Sequence, residues 1–153
     1  MPVRCFRIIS TRMNLSVFQI DRFVDDLDHE NIDGFMTRLR SLLASVNYPE
    51  GSGPYSEHDF QSSMFIIFAM LGQAVRTEVH TSRGRTDCEI ADGNIIYLFE
   101  FKVGRDADEA LRQMDHLGYA DRYAVSGKHV YQIGVSFSAE ERGIAEWKTE
   151  KKY

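Results

Sequence analysis

Long apolar runs are missing from this chain: the most continuous, Met64 to Leu71, has eight residues, against the roughly 20 that a helix needs to cross a bilayer. A membrane-spanning helix is excluded. A secretory segment is also missing from the first fourteen residues, where Arg4, Arg7 and Arg12 interrupt the apolar positions. The expectation is a cytoplasmic protein. Cysteine occurs twice, as Cys5 and Cys88, with no C-x-x-C pair and no histidine at zinc-finger spacing. Neither a disulfide framework nor a structural zinc site is indicated. With three prolines and eleven glycines, collagen-like and low-complexity chains are excluded as well. Net positive charge is lacking too, since the formal charge is -5. A protein that coats nucleic acid by bulk counterion displacement needs clustered Lys and Arg, although local basic patches remain compatible with this total.

What is present suits one globular unit: 153 residues, 43% hydrophobic and 27% charged, a length typical of a single domain. Residues 1 to about 25 have weak periodicity, so the organisation expected is an N-terminal lead over 1–27 and one domain over 28–153. From Asn31 to Val46, Ile32, Phe35, Met36, Leu39, Leu42, Leu43 and Val46 recur at three and four, the mark of an amphipathic helix. A second helix is predicted over Glu57–Leu71, with Ser56 as N-cap, Asp59 three residues on, and Gly72 as the stop. Its apolar stripe is Phe60, Met64, Ile67, Phe68 and Leu71. Three strands follow, at Ala74–Thr81, Arg85–Ala91 and Asn94–Val103, the last two joined by a tight Asp92-Gly93 turn. A third helix covers Asp106–Leu117 and ends at Gly118. Alternating Tyr131, Ile133, Val135 and Phe137 make Lys128–Phe137 a strand, and Ala145–Glu150 a short final one. The fold class expected is α/β, a central mixed sheet of four to five strands flanked by helices.

Two ionic residues stand inside the apolar strand Ile95–Val103. Strand side chains alternate, so Ile96, Leu98, Glu100 and Lys102 share one face. Charge buried there needs a partner, a metal or a water cleft. With an Asp92-Gly93 turn, Ala91 pairs with Asn94 and Asp87 with Leu98, which puts Asp87 on the face of Glu100 as its diagonal neighbour. A one-residue slip would reverse this. Glu57 lies three residues before Phe60 and seven before Met64, on the buried stripe. Gln113 flanks the buried face of the third helix, three after Ala110 and four before Leu117. Hard oxygen donors of this kind suit Mg²⁺ or Mn²⁺. A neighbouring Lys can orient an attacking water or stabilise charge on a phosphate oxygen.

In order along the chain stand Gly84-Arg85-Thr86-Asp87, Phe99-Glu100-Phe101-Lys102, Ala110-Leu111-Arg112-Gln113 and Gly118-Tyr119-Ala120. This set resembles the PD-(D/E)XK nuclease superfamily, and more narrowly the bacterial nuclease-like domain usually found C-terminal to an AAA-ATPase-like domain. The resemblance covers roughly Asn31 to Thr149, although Thr86 occupies the place of the proline that names the superfamily. It implies a restriction-endonuclease-like core and a nuclease acting on nucleic acid, expected to be DNA, with Mg²⁺ or Mn²⁺. It implies that Asp87, Glu100 and the Phe101 carbonyl are metal ligands and that Lys102 is the catalytic cation. Glu57 becomes the first-helix acid and Gln113 the accessory helix residue. An ATPase-like partner domain is the association it suggests.

Plainer readings stand beside these. Glu100 and Lys102 also fit a structural ion pair, Glu57 a first-turn acid favouring the helix dipole, and Gln113 a solvated flank. Glu78 and Glu89 are expected at the surface, and His58, His80, His116 and His129 have no mutual metal spacing. Arg83, Arg85, Arg105 and Arg112 are candidate phosphate contacts. Gly134-Val135-Ser136 lacks the second glycine of a nucleophile elbow, and no P-loop occurs. The competing function class is a nuclease-like module that cuts nothing and serves as a regulatory or protein-binding partner of an ATPase.

Overall fold

The computed structural model describes residues 19–45, 53, 56–72, 74–80 and 85–153, with the backbone alone for 74–80, 85 and 86. The chain forms two compact units, residues 1–54 and 55–153. In the first, α1 (Ile20–Asp28) and α2 (Ile32–Ala44) follow one another closely. α1 forms in the stretch whose periodicity is weak, around Ile20, Phe23 and Leu27. Phe23 meets Phe35 edge to face, ring centres 5.5 Å apart. Buried Asp26 fixes the pair, accepting from Arg38 Nε at 2.7 Å and from Asn31 Nδ2 at 2.8 Å. Asn31 in turn caps α2 by accepting from the Gly34 amide.

The second unit runs α3 (Glu57–Met70), β1 (Ala74–His80), β2 (Arg85–Asp92), β3 (Ile95–Val103), α4 (Ala107–Leu117), a 3-10 turn (Asp121–Tyr123), β4 (His129–Ser138) and β5 (Gly143–Lys151). Both helix starts are capped, α3 by Ser56 as the sequence predicts and α4 by Asp106, which was expected inside the first turn and stands one residue before it. Ser56 Oγ accepts from the Asp59 amide while Asp59 accepts from the Ser56 amide, a full capping box. Asp106 accepts from the Glu109 amide at 2.7 Å, and Gly118 closes α4 in the left-handed region.

The five strands lie in sequence order, β1-β2-β3-β4-β5. β3 and β4 run parallel, joined by α4, and the other pairs are antiparallel. This is the mixed α/β architecture expected, with β5 extending over nine residues and not only Ala145–Glu150. The helices cover opposite faces. On one, Phe60 and Phe68 of α3 meet Phe137 and Phe99 of the sheet. On the other, Leu111 and Met114 of α4 pack with Ile96, Leu98 and Val130.

The β2–β3 turn corrects the expected register. The loop is Gly93-Asn94, not Asp92-Gly93, so Asp92 pairs with Ile95 and Cys88 with Phe99. Gly93 has φ 53°, and a positive φ at the first central position is what a type II′ hairpin requires of glycine. The count moves by two residues, so every side chain keeps its predicted face.

Candidate metal centre

Burial creates the central electrostatic problem. Glu100 and Lys102 are only 2% and 8% exposed, on the face of β3 covered by α4. Lys102 Nζ donates to Glu100 Oε1 at 3.2 Å, and Gln113 Nε2 from α4 donates to the same oxygen at 2.5 Å. Glu100 Oε2 is buried and has no hydrogen-bond partner. Gly134, next to Glu100 in the parallel register, makes this packing possible. A Cβ there would lie 2.4 Å from the Ala107 carbonyl oxygen and 3.0 Å from the Ala110 Cβ.

Asp87 enters where the β2–β3 ladder ends. The paired register stops at Cys88–Phe99, and one step further Asp87 stands across from Glu100. Its side chain replaces the ladder: Oδ2 accepts from the Phe101 amide at 2.9 Å, and Oδ1 accepts from Gln61 Nε2 of α3 at 3.0 Å. A strand residue sends its N–H and C=O to the same edge, so the Phe101 carbonyl also leaves β3 toward Asp87.

The two acids feel each other. Burial pushes the Glu100 carboxyl up to about 7, the charge of Asp87 adds to that rise, and Lys102 opposes it. Glu57 adds a smaller upward push, although its side chain is exposed at the first position of α3 and not on the buried stripe predicted for it. The buried stripe begins with Phe60, and Glu57, at the N-terminal end of the helix one turn before it, meets solvent.

Asp87, Glu100, Lys102 and Gln113 are therefore gathered, with Glu57 at the rim. Arg83 lies outside the described residues, as do the side chains of Arg85, Glu78 and His80. Arg105 is paired with Glu109, and Arg112 stands 3.6 Å from Asp106. Glu89 is not a surface residue: it is 1% exposed and ion-paired with Arg122. The parity that turns Asp87 inward turns Glu89 inward as well, and that signal was present in the sequence. Gln61 is a further residue not anticipated. It follows Phe60 and flanks the buried stripe, the same placement that drew attention to Gln113. Burial pushes the Cys88 thiol far up, so no reactive thiolate adjoins the site.

Residues 55–147 match the sequence family described as the PD-(D/E)XK nuclease superfamily. The chain belongs to the PD-(D/E)XK nuclease superfamily. An uncharacterized protein in the vnfD 5′ region of Azotobacter chroococcum mcd 1 is 33% identical over 131 residues, 82% of this chain. The chain spans about a quarter of that relative's length. Superfamily membership accords with the mixed sheet and its flanking helices.

Superfamily nucleases generally use divalent metals, and the donor chemistry here fits one. Among the described residues no three His, Cys, Asp or Glu side chains form a metal cage, so Glu57 does not join Asp87 and Glu100 as a third carboxylate. Mg²⁺ is commonly bound through one or two carboxylates with waters retained. The unpartnered, buried Glu100 Oε2 is the oxygen a cation would satisfy, and positive charge between two mutually repelling acids relieves the cause of the Glu100 shift. Among the described residues no helix is long and apolar enough to cross a membrane.

Proposed function

We propose that this domain is a divalent-metal-dependent nuclease that hydrolyses phosphodiester bonds, with DNA as its substrate. The observation that carries the reading is the meeting of Asp87 with Glu100, whose Oε2 is buried without a partner, beside the Lys102 ammonium. Asp87, Glu100 and the Phe101 carbonyl would hold Mg²⁺ or Mn²⁺. Such an ion supplies Lewis-acid stabilisation of charge on phosphoryl oxygens and makes water more acidic. Lys102 orients the attacking water and balances charge as the phosphate is attacked. Gln113 holds the Glu100 carboxylate in place, and Glu57 adds negative charge at the rim.

The test is cleavage of single- and double-stranded DNA and RNA with Mg²⁺ or Mn²⁺ against chelator. Cutting that needs the metal and disappears in both Asp87→Asn and Lys102→Met is the expected result. Cutting that persists in both variants, or in chelator, would defeat the reading. An inert wild type that still takes up Mn²⁺ would favour the non-cutting module, with an ATPase-like partner to be sought.

A further inference from the structure

The geometry points to Gln61 as a positioning residue that holds Asp87 ready for the cation from the face of the sheet opposite Gln113. The inference rests on the proposed metal-dependent reading and adds a residue to it. Gln61 belongs to α3, whose aromatic side chains pack on the Phe99 and Phe137 face, whereas Glu100, Lys102 and Gln113 lie on the α4 face. It reaches Asp87 only because the β2–β3 ladder ends at Cys88–Phe99 and leaves a gap between the strands. Through that gap its Nε2 donates to Asp87 Oδ1 at 3.0 Å.

Its own position is fixed at two points. The capping box at Ser56 and Asp59 sets where α3 begins, and Phe60, the residue before Gln61, stacks on Phe137 with ring centres 4.1 Å apart and planes 14° from parallel. Half-buried Gln61 thus projects from an anchored turn. Asp87 then has both oxygens held, one by the Phe101 amide and one by Gln61. Two donors from different elements fix the rotation of the carboxylate. An uncharged amide is well suited here, because it orients the acid without adding a cation to compete with the metal or an anion to repel Asp87. Partners that orient metal ligands typically change metal affinity or activity by about 10- to 100-fold when removed.

The experiment is Mn²⁺ binding to the metal-free full chain by calorimetry, with cleavage kinetics run beside it. Gln61→Met keeps length and helix propensity and deletes the donor. The expected result is a Kd for Mn²⁺ raised about tenfold or more, an unchanged KM for DNA, and cleavage that recovers toward wild type at saturating Mn²⁺. Ser62→Ala, on the exposed side of the same turn, should leave all three unchanged. If Gln61→Met fails to fold, as judged by circular dichroism, Gln61→Ala removes the same donor with less bulk and is read by the same criteria. A folded Gln61 variant whose Mn²⁺ affinity stays within twofold of wild type, while Asp87→Ala abolishes binding, overturns the role of Gln61 alone. A wild type that binds no Mn²⁺ and cuts nothing overturns this role together with the nuclease reading.

Discussion

Gly134 stands beside Glu100 across the parallel β3–β4 register, and the volume its missing side chain leaves free is filled by the first turns of α4. The distance from Gln113 to Glu100 depends on that close approach. Gly134→Ala should therefore destabilise the domain by about 1 to 3 kcal/mol, the usual range for overpacking, because the nearest obstruction is backbone and must move. Thermal unfolding checks the first effect. A parallel loss of cleavage at temperatures where the variant remains folded checks the displacement of Gln113.

Lys102→Met removes the group that holds the Glu100 carboxyl down against burial and the Asp87 charge. The Glu100 midpoint should rise above about 7, measurable by carboxyl-selective NMR titration of the metal-free protein. Cleavage should fall by about 100-fold or more, the scale for losing an electrostatic or proton-handling group. A midpoint that stays put would show that the 3.2 Å contact contributes little.

The raised Glu100 midpoint also sets a pH dependence. Its folded value, about 7, exceeds the ordinary value of 4.5, so the folded state binds more protons than the unfolded one between those limits. The contribution of Glu100 to the stability of the metal-free protein is fully present below about 4.5 and is lost as pH rises through about 7. Melting temperatures across pH 4 to 8 should show this decline, and Glu100→Gln should flatten it, with a difference on the order of 1 to 3 kcal/mol at the alkaline end. Mn²⁺ should reverse the trend, because a cation binds the ionised carboxylate and stabilises the folded state more as pH rises.

Arg122→Ala leaves Glu89 buried without its cation. Breaking a buried pair from one side typically costs about 3 to 5 kcal/mol, and because the arginine side chain is 31% exposed the lower end is expected. Denaturant unfolding measures it, and Glu89→Gln in the same background should recover part of the loss.

Much of this domain was legible because alternation and capping are local. The capping box at Ser56, the stop at Gly118 and the inward face of Glu100 all follow from residues within one turn or one strand of each other. The register was harder: Asp92-Gly93 and Gly93-Asn94 both make acceptable two-residue turns, both with a positive φ at Gly93, and what separates them is that Asp92 keeps a negative φ and pairs with Ile95. Parity saved the site, since both choices face Asp87 the same way. The exposure of Glu57 was misjudged because spacing gives the angle around a helix but not where the sheet ends beneath it. Gln61 flanks its stripe as Gln113 does, so its placement was legible, but its partner was not: the contact with Asp87 forms where the β2–β3 ladder ends, and that end is a property of the assembled sheet.

The two glutamines that steady the acids arrive from helices on opposite layers of that sheet. Neither layer alone can build the pair, so a folding chain with one helix docked would carry one steadied acid and one loose. On the proposed metal-dependent reading, capture of Mn²⁺ would await the finished domain, and partly folded copies should bind it poorly.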